Sequence, residues 1–74
     1  MLNVSDIKAA MKAAGISVDI DAIPVDGKFR EYGLDSLDVF NLLIELQDVT
    51  GREIPDADVP NLDCIAALLA YFQA

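Results

Sequence analysis

Apolar residues recur with a helical period in three stretches of this chain and alternate with polar ones in a fourth. Val4, Ile7, Met11 and Ala14 fall at i, i+3, i+7 and i+10, which predicts an amphipathic helix that Asn3 or Ser5 can cap and Gly15 can end. In residues 16–21, Ile16, Val18 and Ile20 alternate with Ser17, Asp19 and Asp21, a strand pattern when taken alone. No second strand is available to pair with it, so 16–34 reads as a long ordered loop with Ile16, Val18, Ile20, Ile23 and Phe29 tucked inward. Loops of that length are uncommon unless they serve a site.

A second helix is predicted from Ser36 to about Thr50, capped by Asp35 and closed by Gly51. On a wheel of about 100° per residue, Val39, Leu42, Leu43, Leu46 and Val49 form one stripe suited to a core. Leu37, Phe40 and Ile44 form another, interleaved with Asn41, Gln47 and Asp48. Such a helix is either buried on both sides or partly exposed; with two other substantial helices to cover it, we read partial exposure. Beyond Gly51, Ile54 is expected to pack inward and Asp56 to cap a short helical turn limited by Pro60. Asp63 is expected to cap a last helix with Ile65, Leu68, Leu69 and Phe72 on one face. Ala66, Ala67 and Ala70 would let that helix approach the core stripe of the second. The fold class is all-α: an irregular four-helix bundle of three main helices plus one short helical turn, with a long loop between the first and second, in a single domain 1–74.

Composition sharpens this outline. In 74 residues, 54% hydrophobic, a core supplies only about 3–5 kcal/mol of net stability. Thirteen acidic residues against five basic ones leave a net charge of −8. Residues 1–30 are neutral, with four of each sign, whereas residues 31–74 set nine acids against Arg52 alone. That excess argues against nucleic acid and anionic membranes as partners, and it serves either solubility or the steering of a basic partner.

The absence of His and the single Cys64 exclude a Ser-His or Cys-His pair, a zinc site and an internal disulfide, so autonomous catalysis is not expected. Cys64 reads as a small hydrophobe, and Phe29, Tyr32 and Tyr71 as core or loop anchors. Asp19, Asp21 and Asp26 are spaced loosely like a calcium loop, but Ile23 and Pro24 stand where an oxygen ligand and a Gly are needed, so no metal site is expected. The longest apolar run, Cys64 to Phe72, spans nine residues, short of a membrane span, and the start lacks a basic and apolar leader. A cytoplasmic monomer is the expectation.

Gly33-Leu34-Asp35-Ser36-Leu37-Asp38 places a hydroxyl at the first position of the acidic helix. Free N–H groups and the helix dipole favour an anion there by about 0.3–1 kcal/mol. Without a His to activate it, Ser36 is either a capping residue or the acceptor of a group transferred by another enzyme. This motif, the amphipathic Val39–Val49 and Glu53-Ile54-Pro55-Asp56 together resemble the acyl carrier protein family over essentially the whole chain.

The resemblance implies that Ser36 carries a 4′-phosphopantetheine arm, attached from coenzyme A by a phosphopantetheinyl transferase, whose thiol holds acyl intermediates for fatty acid, lipid or polyketide enzymes. Asp35, Leu37 and Asp38 would flank the attachment point. Leu37, Phe40, Asn41, Ile44, Asp48 and Asp56 would meet partner enzymes with basic docking surfaces. Ile54 and Leu62 would border the arm, and an acyl chain would shelter against Leu42, Leu46 and Leu68.

Asn41, Gln47, Ala57 and Pro60 are neutral where that family is usually acidic, and Phe40 is bulkier than usual, which points to partners of a dedicated pathway. An aminoacyl (D-alanyl-like) carrier is one alternative. An unmodified acidic helical interaction module is another.

Overall fold

Helix α1 (Val4–Ala13) starts at Asn3, whose side chain accepts from the Asp6 N–H at 2.9 Å while the Asp6 carboxylate accepts from the Asn3 N–H at 3.0 Å. This reciprocal cap satisfies two backbone donors that a helix start leaves free. The computed structural model describes residues 2–73, so the ends of the expected domain, Met1 and Ala74, lie outside it. Ile7, Ala10 and Met11 give α1 its buried face.

The loop that follows contains two 3₁₀ turns, Ile20–Ala22 and Phe29–Tyr32, and the described residues contain no strand. Ile16, Ile20, Ile23 and Phe29 are buried and Val18 half-buried, so the alternation seen in the sequence is that of a loop laid on a core. Its backbone is satisfied from the far end of the chain: Phe29 N–H donates to the Asp63 carbonyl at 2.8 Å, and Ala66 N–H to the Val25 carbonyl at 2.8 Å.

Helix α2 (Ser36–Thr50) buries Leu42, Leu43 and Leu46 and ends at Gly51, whose φ of 70° favours glycine. Val49, expected in the core, is 63% exposed. The last turn of α2 runs past the buried cluster, and Val49 lines a depression there with Leu2, Arg52 and Phe72.

A 3₁₀ helix, Asp56–Asn61, and helix α3 (Ile65–Gln73) complete the all-α bundle. Three details differ from the sequence expectation. Pro55 rather than Asp56 holds the cap position of the short helix, its carbonyl accepting from Asp58 N–H at 2.9 Å, and Pro60 lies within that helix rather than ending it. Asp63 lies one residue before the cap position of α3, which Cys64 holds, its carbonyl accepting from the Leu68 N–H, and the Asp63 carboxylate accepts from Lys28. Finally, α3 packs on α1 as well as on the core stripe of α2, its Ile65 and Leu68 sharing one buried cluster with Ile7, Met11, Leu42, Leu43 and Leu46. Its start is held to the loop through Phe29 and Val25, and Ala66 and Ala70 face outward instead of permitting a close approach.

Candidate functional site

Gly33 sets the entry to α2. Its φ of 94° is unfavourable for a residue with a side chain, and a Cβ there would meet Val18 Cγ1 at 3.2 Å. Leu34 is buried immediately after it, which pins the chain before the helix begins. Asp35 and Asp38 then lock the first turn: the Asp35 carboxylate accepts from the Asp38 N–H at 2.8 Å and the Asp38 carboxylate from the Asp35 N–H at 3.3 Å. The two acids nearest Ser36 are therefore fixed by the helix start itself.

Ser36 is exposed at the first helical position, and its hydroxyl makes no hydrogen bond among the described residues. The capping task expected of a serine at a helix start is performed by Asp35, so the Ser36 hydroxyl is left over. Beside it opens a cavity of about 380 Å³. Phe29, Leu34, Val39, Val59 and Leu62 supply apolar walls; Phe40, Arg30 and Asp63 also line it. The expected apolar shelter against Leu42, Leu46 and Leu68 is filled by those side chains, all at 0% exposure, and the open space lies at the start of α2.

The expected docking residues separate into two groups. Leu37, Phe40 and Ile44 are 64%, 53% and 46% exposed, Asp48 and Asp56 are exposed, and Asn41 is half-buried on the same helix. Ile54 and Leu62 are instead core residues at 7% and 3% exposure, so neither offers a surface to a partner. Leu62 still forms part of the cavity wall beside Ser36, whereas Ile54 does not line that cavity. Gln47 also departs from the expected rim: its side-chain oxygen accepts from the Ile54 N–H at 3.1 Å, which joins α2 to the following segment.

Long-range contacts fix the far wall of the cavity, and spacing in the sequence gave no signal of them. Lys28 Nζ donates to Asp63 at 2.7 Å, which raises the Lys28 pKa and lowers that of Asp63 through the shared hydrogen bond. Tyr71 donates its hydroxyl to Asp58 at 2.9 Å, and that bond raises the Tyr71 pKa. Between these anchors, Val59 and Pro60 line the cavity on a short helix that buries none of its residues. Arg30, counted in the sequence only as one of the bases of the neutral half, is the other contributor that sequence reasoning missed.

Known proteins match this sequence over nearly its whole length. Residues 7–72 fit the family model for the phosphopantetheine attachment site. The acyl carrier protein of Campylobacter jejuni subsp. doylei is 38% identical over 72 residues, covering 96% of this chain and 92% of that protein. The acyl carrier protein of Campylobacter jejuni subsp. jejuni is 36% identical over the same coverage. With its helical bundle and an unused hydroxyl beside an apolar cavity, this chain belongs to the acyl carrier protein family; it is a carrier rather than an enzyme, and its cofactor is 4′-phosphopantetheine.

Proposed function

We propose that Ser36 is the attachment residue and that the protein presents acyl groups to biosynthetic enzymes from the start of α2. Two serines, Ser17 and Ser36, fall within the matched residues 7–72. Of these, Ser36 alone stands at a helix start and lines the cavity, and this observation carries the reading.

The residues present suit the group. The Ser36 hydroxyl is exposed and has no internal partner, and the positive end of the α2 dipole favours the phosphodiester anion. The cofactor supplies a terminal thiol on which an acyl group is held as a thioester. Asp35 and Asp38 keep the helix start rigid, so the Ser36 backbone is fixed while its hydroxyl stays free for a transferase. Leu37, Phe40 and Ile44, with Asp48 on the same helix, supply an apolar surface with nearby negative charge for basic partner enzymes.

The neutral Asn41 and Gln47 support a dedicated partner set drawn from fatty acid, lipid or polyketide synthesis. Gln47 contributes less to that argument than Asn41, because its side chain is committed to Ile54.

Mass spectrometry after incubation with coenzyme A and a broad-specificity phosphopantetheinyl transferase tests the assignment. The expected result is one added phosphopantetheine in the wild type and none in Ser36→Ala. An adduct on Ser36→Ala would overturn the assignment.

A further inference from the structure

The basic residues of this acidic chain are few, and most are committed. Lys8 lies 3.8 Å from Asp21, and Lys28 holds Asp63 at 2.7 Å. Arg52 donates to the Phe72 carbonyl at 3.0 Å, its guanidinium 5.7 Å from the Phe72 ring centroid. Lys12 sits in the last turn of α1, where it complements the negative end of that helix. Arg30 alone lines the cavity that Ser36 opens onto while making no ion pair and no side-chain hydrogen bond among the described residues.

Nearby acids do not use Arg30. Lys28 engages Asp63, Asp35 and Asp38 cap α2, and Glu31 next to Arg30 is exposed without an ion pair. A phosphodiester on Ser36 would add a further negative charge close to Asp35 and Asp38, and Arg30 is the one cation on the cavity wall able to offset it.

We propose that Arg30 is a positioning residue for the arm: its guanidinium pairs with the phosphodiester on Ser36 and holds the arm at the mouth of the cavity. The proposal rests on Ser36 being the attachment residue. The planar fork of an arginine matches two phosphate oxygens at once, which a lysine ammonium does not. Docked in this way, the arm starts along the apolar walls formed by Phe29, Val39, Val59 and Leu62 instead of pointing into solvent.

The test compares apo and loaded forms of the wild type, Arg30→Gln and Arg30→Lys, with loading and its site confirmed by mass spectrometry. Loading should shift the Tm of the wild type more favourably than that of Arg30→Gln by about 2–4 °C at low ionic strength. Arg30→Lys should recover part of that difference, and salt near 1 M should remove it. In NMR spectra the Arg30 Nε–H resonance should move when the wild type is loaded.

Equal Tm shifts in the wild type and Arg30→Gln, with an unmoved Arg30 resonance, would overturn the proposal and leave Ser36 intact as the attachment residue. Failure of the wild type to gain an arm on Ser36 would overturn both. Should Arg30→Gln resist loading, the Arg30 resonance of the loaded wild type and its salt dependence decide the matter.

Discussion

The two apolar stripes of α2 are built from similar side chains and meet opposite fates. Leu42, Leu43 and Leu46 are at most 2% exposed, whereas Leu37, Phe40 and Ile44 remain about half exposed or more on the other side of the same helix. Hydrophobicity alone does not distinguish them. α1, α3 and the long loop close over the first stripe, and no element of the described chain closes over the second. The inner stripe stabilises the fold, while the outer one retains apolar surface whose burial can stabilise only a complex.

Removing an inner residue should produce the largest effect. Leu46→Ala leaves a cavity at a fully buried position and should cost about 2–5 kcal/mol. That is comparable to the whole net stability of about 3–5 kcal/mol available to a domain this small. Urea titration followed by circular dichroism should therefore find the midpoint lowered to about half that of the wild type or below. A midpoint close to that of the wild type would show that the inner stripe does not carry the fold.

An outer residue should behave in the opposite way. Phe40→Ala should cost about 1 kcal/mol or less, because 53% of the residue is already in water. Acyl transfer to a cognate partner enzyme should nevertheless fall by about tenfold or more, as expected for an aromatic residue at an interface centre. Parallel measurement of Tm and transfer rate separates the two contributions. Matching losses in both would place Phe40 with the core and dissolve the distinction between the stripes.

Local features of this molecule were legible in the sequence because their causes are local. Spacing and capping chemistry are short-range, so α1 and α2 and their ends could be read directly; the exposure of the second stripe rested on how few helices could cover it, since its own spacing fits a core equally well. The inward set Ile16, Ile20, Ile23 and Phe29 was legible for a related reason: an unpaired strand pattern has few other ways to satisfy its backbone.

The far wall of the cavity was not legible. Asp63 looked like a helix cap because nothing near it in sequence competes for its carboxylate, yet Lys28, 35 residues away, takes it. Leu62 gave no local sign of burial, and the fold returns it to the core at the cavity wall, whereas Ile54 packs inward as expected but does not line that cavity. Arg30 stands out only against the partners of Lys8, Lys28 and Arg52, and those partners are set by the fold.

The smallest predicted effect tests the contrast in a second place, the exposed ion pair that joins the loop to the start of α3. Lys28 and Asp63 each keep substantial contact with water, so their pair is screened and contributes modestly. Its pH dependence has a definite sign. The Asp63 pKa is lowered in the fold, so the stabilisation is present above the ordinary carboxylate range and is lost as pH falls through the folded value. The Lys28 pKa is raised, so the stabilisation is complete below the ordinary lysine range and is lost as pH rises through the folded value. Tyr71 adds loss in the same alkaline direction, because its bond to Asp58 raises its pKa. Tm measured against pH should thus show a plateau between the two limits. Lys28→Met should lower that plateau slightly and weaken the acidic dependence, while leaving Leu42, Leu43 and Leu46 protected in hydrogen exchange. If Lys28→Met instead exposes those inner residues, the ion pair supports the core as well as the cavity wall, and the division between a structural interior and a functional exterior is less sharp than the burial pattern indicates.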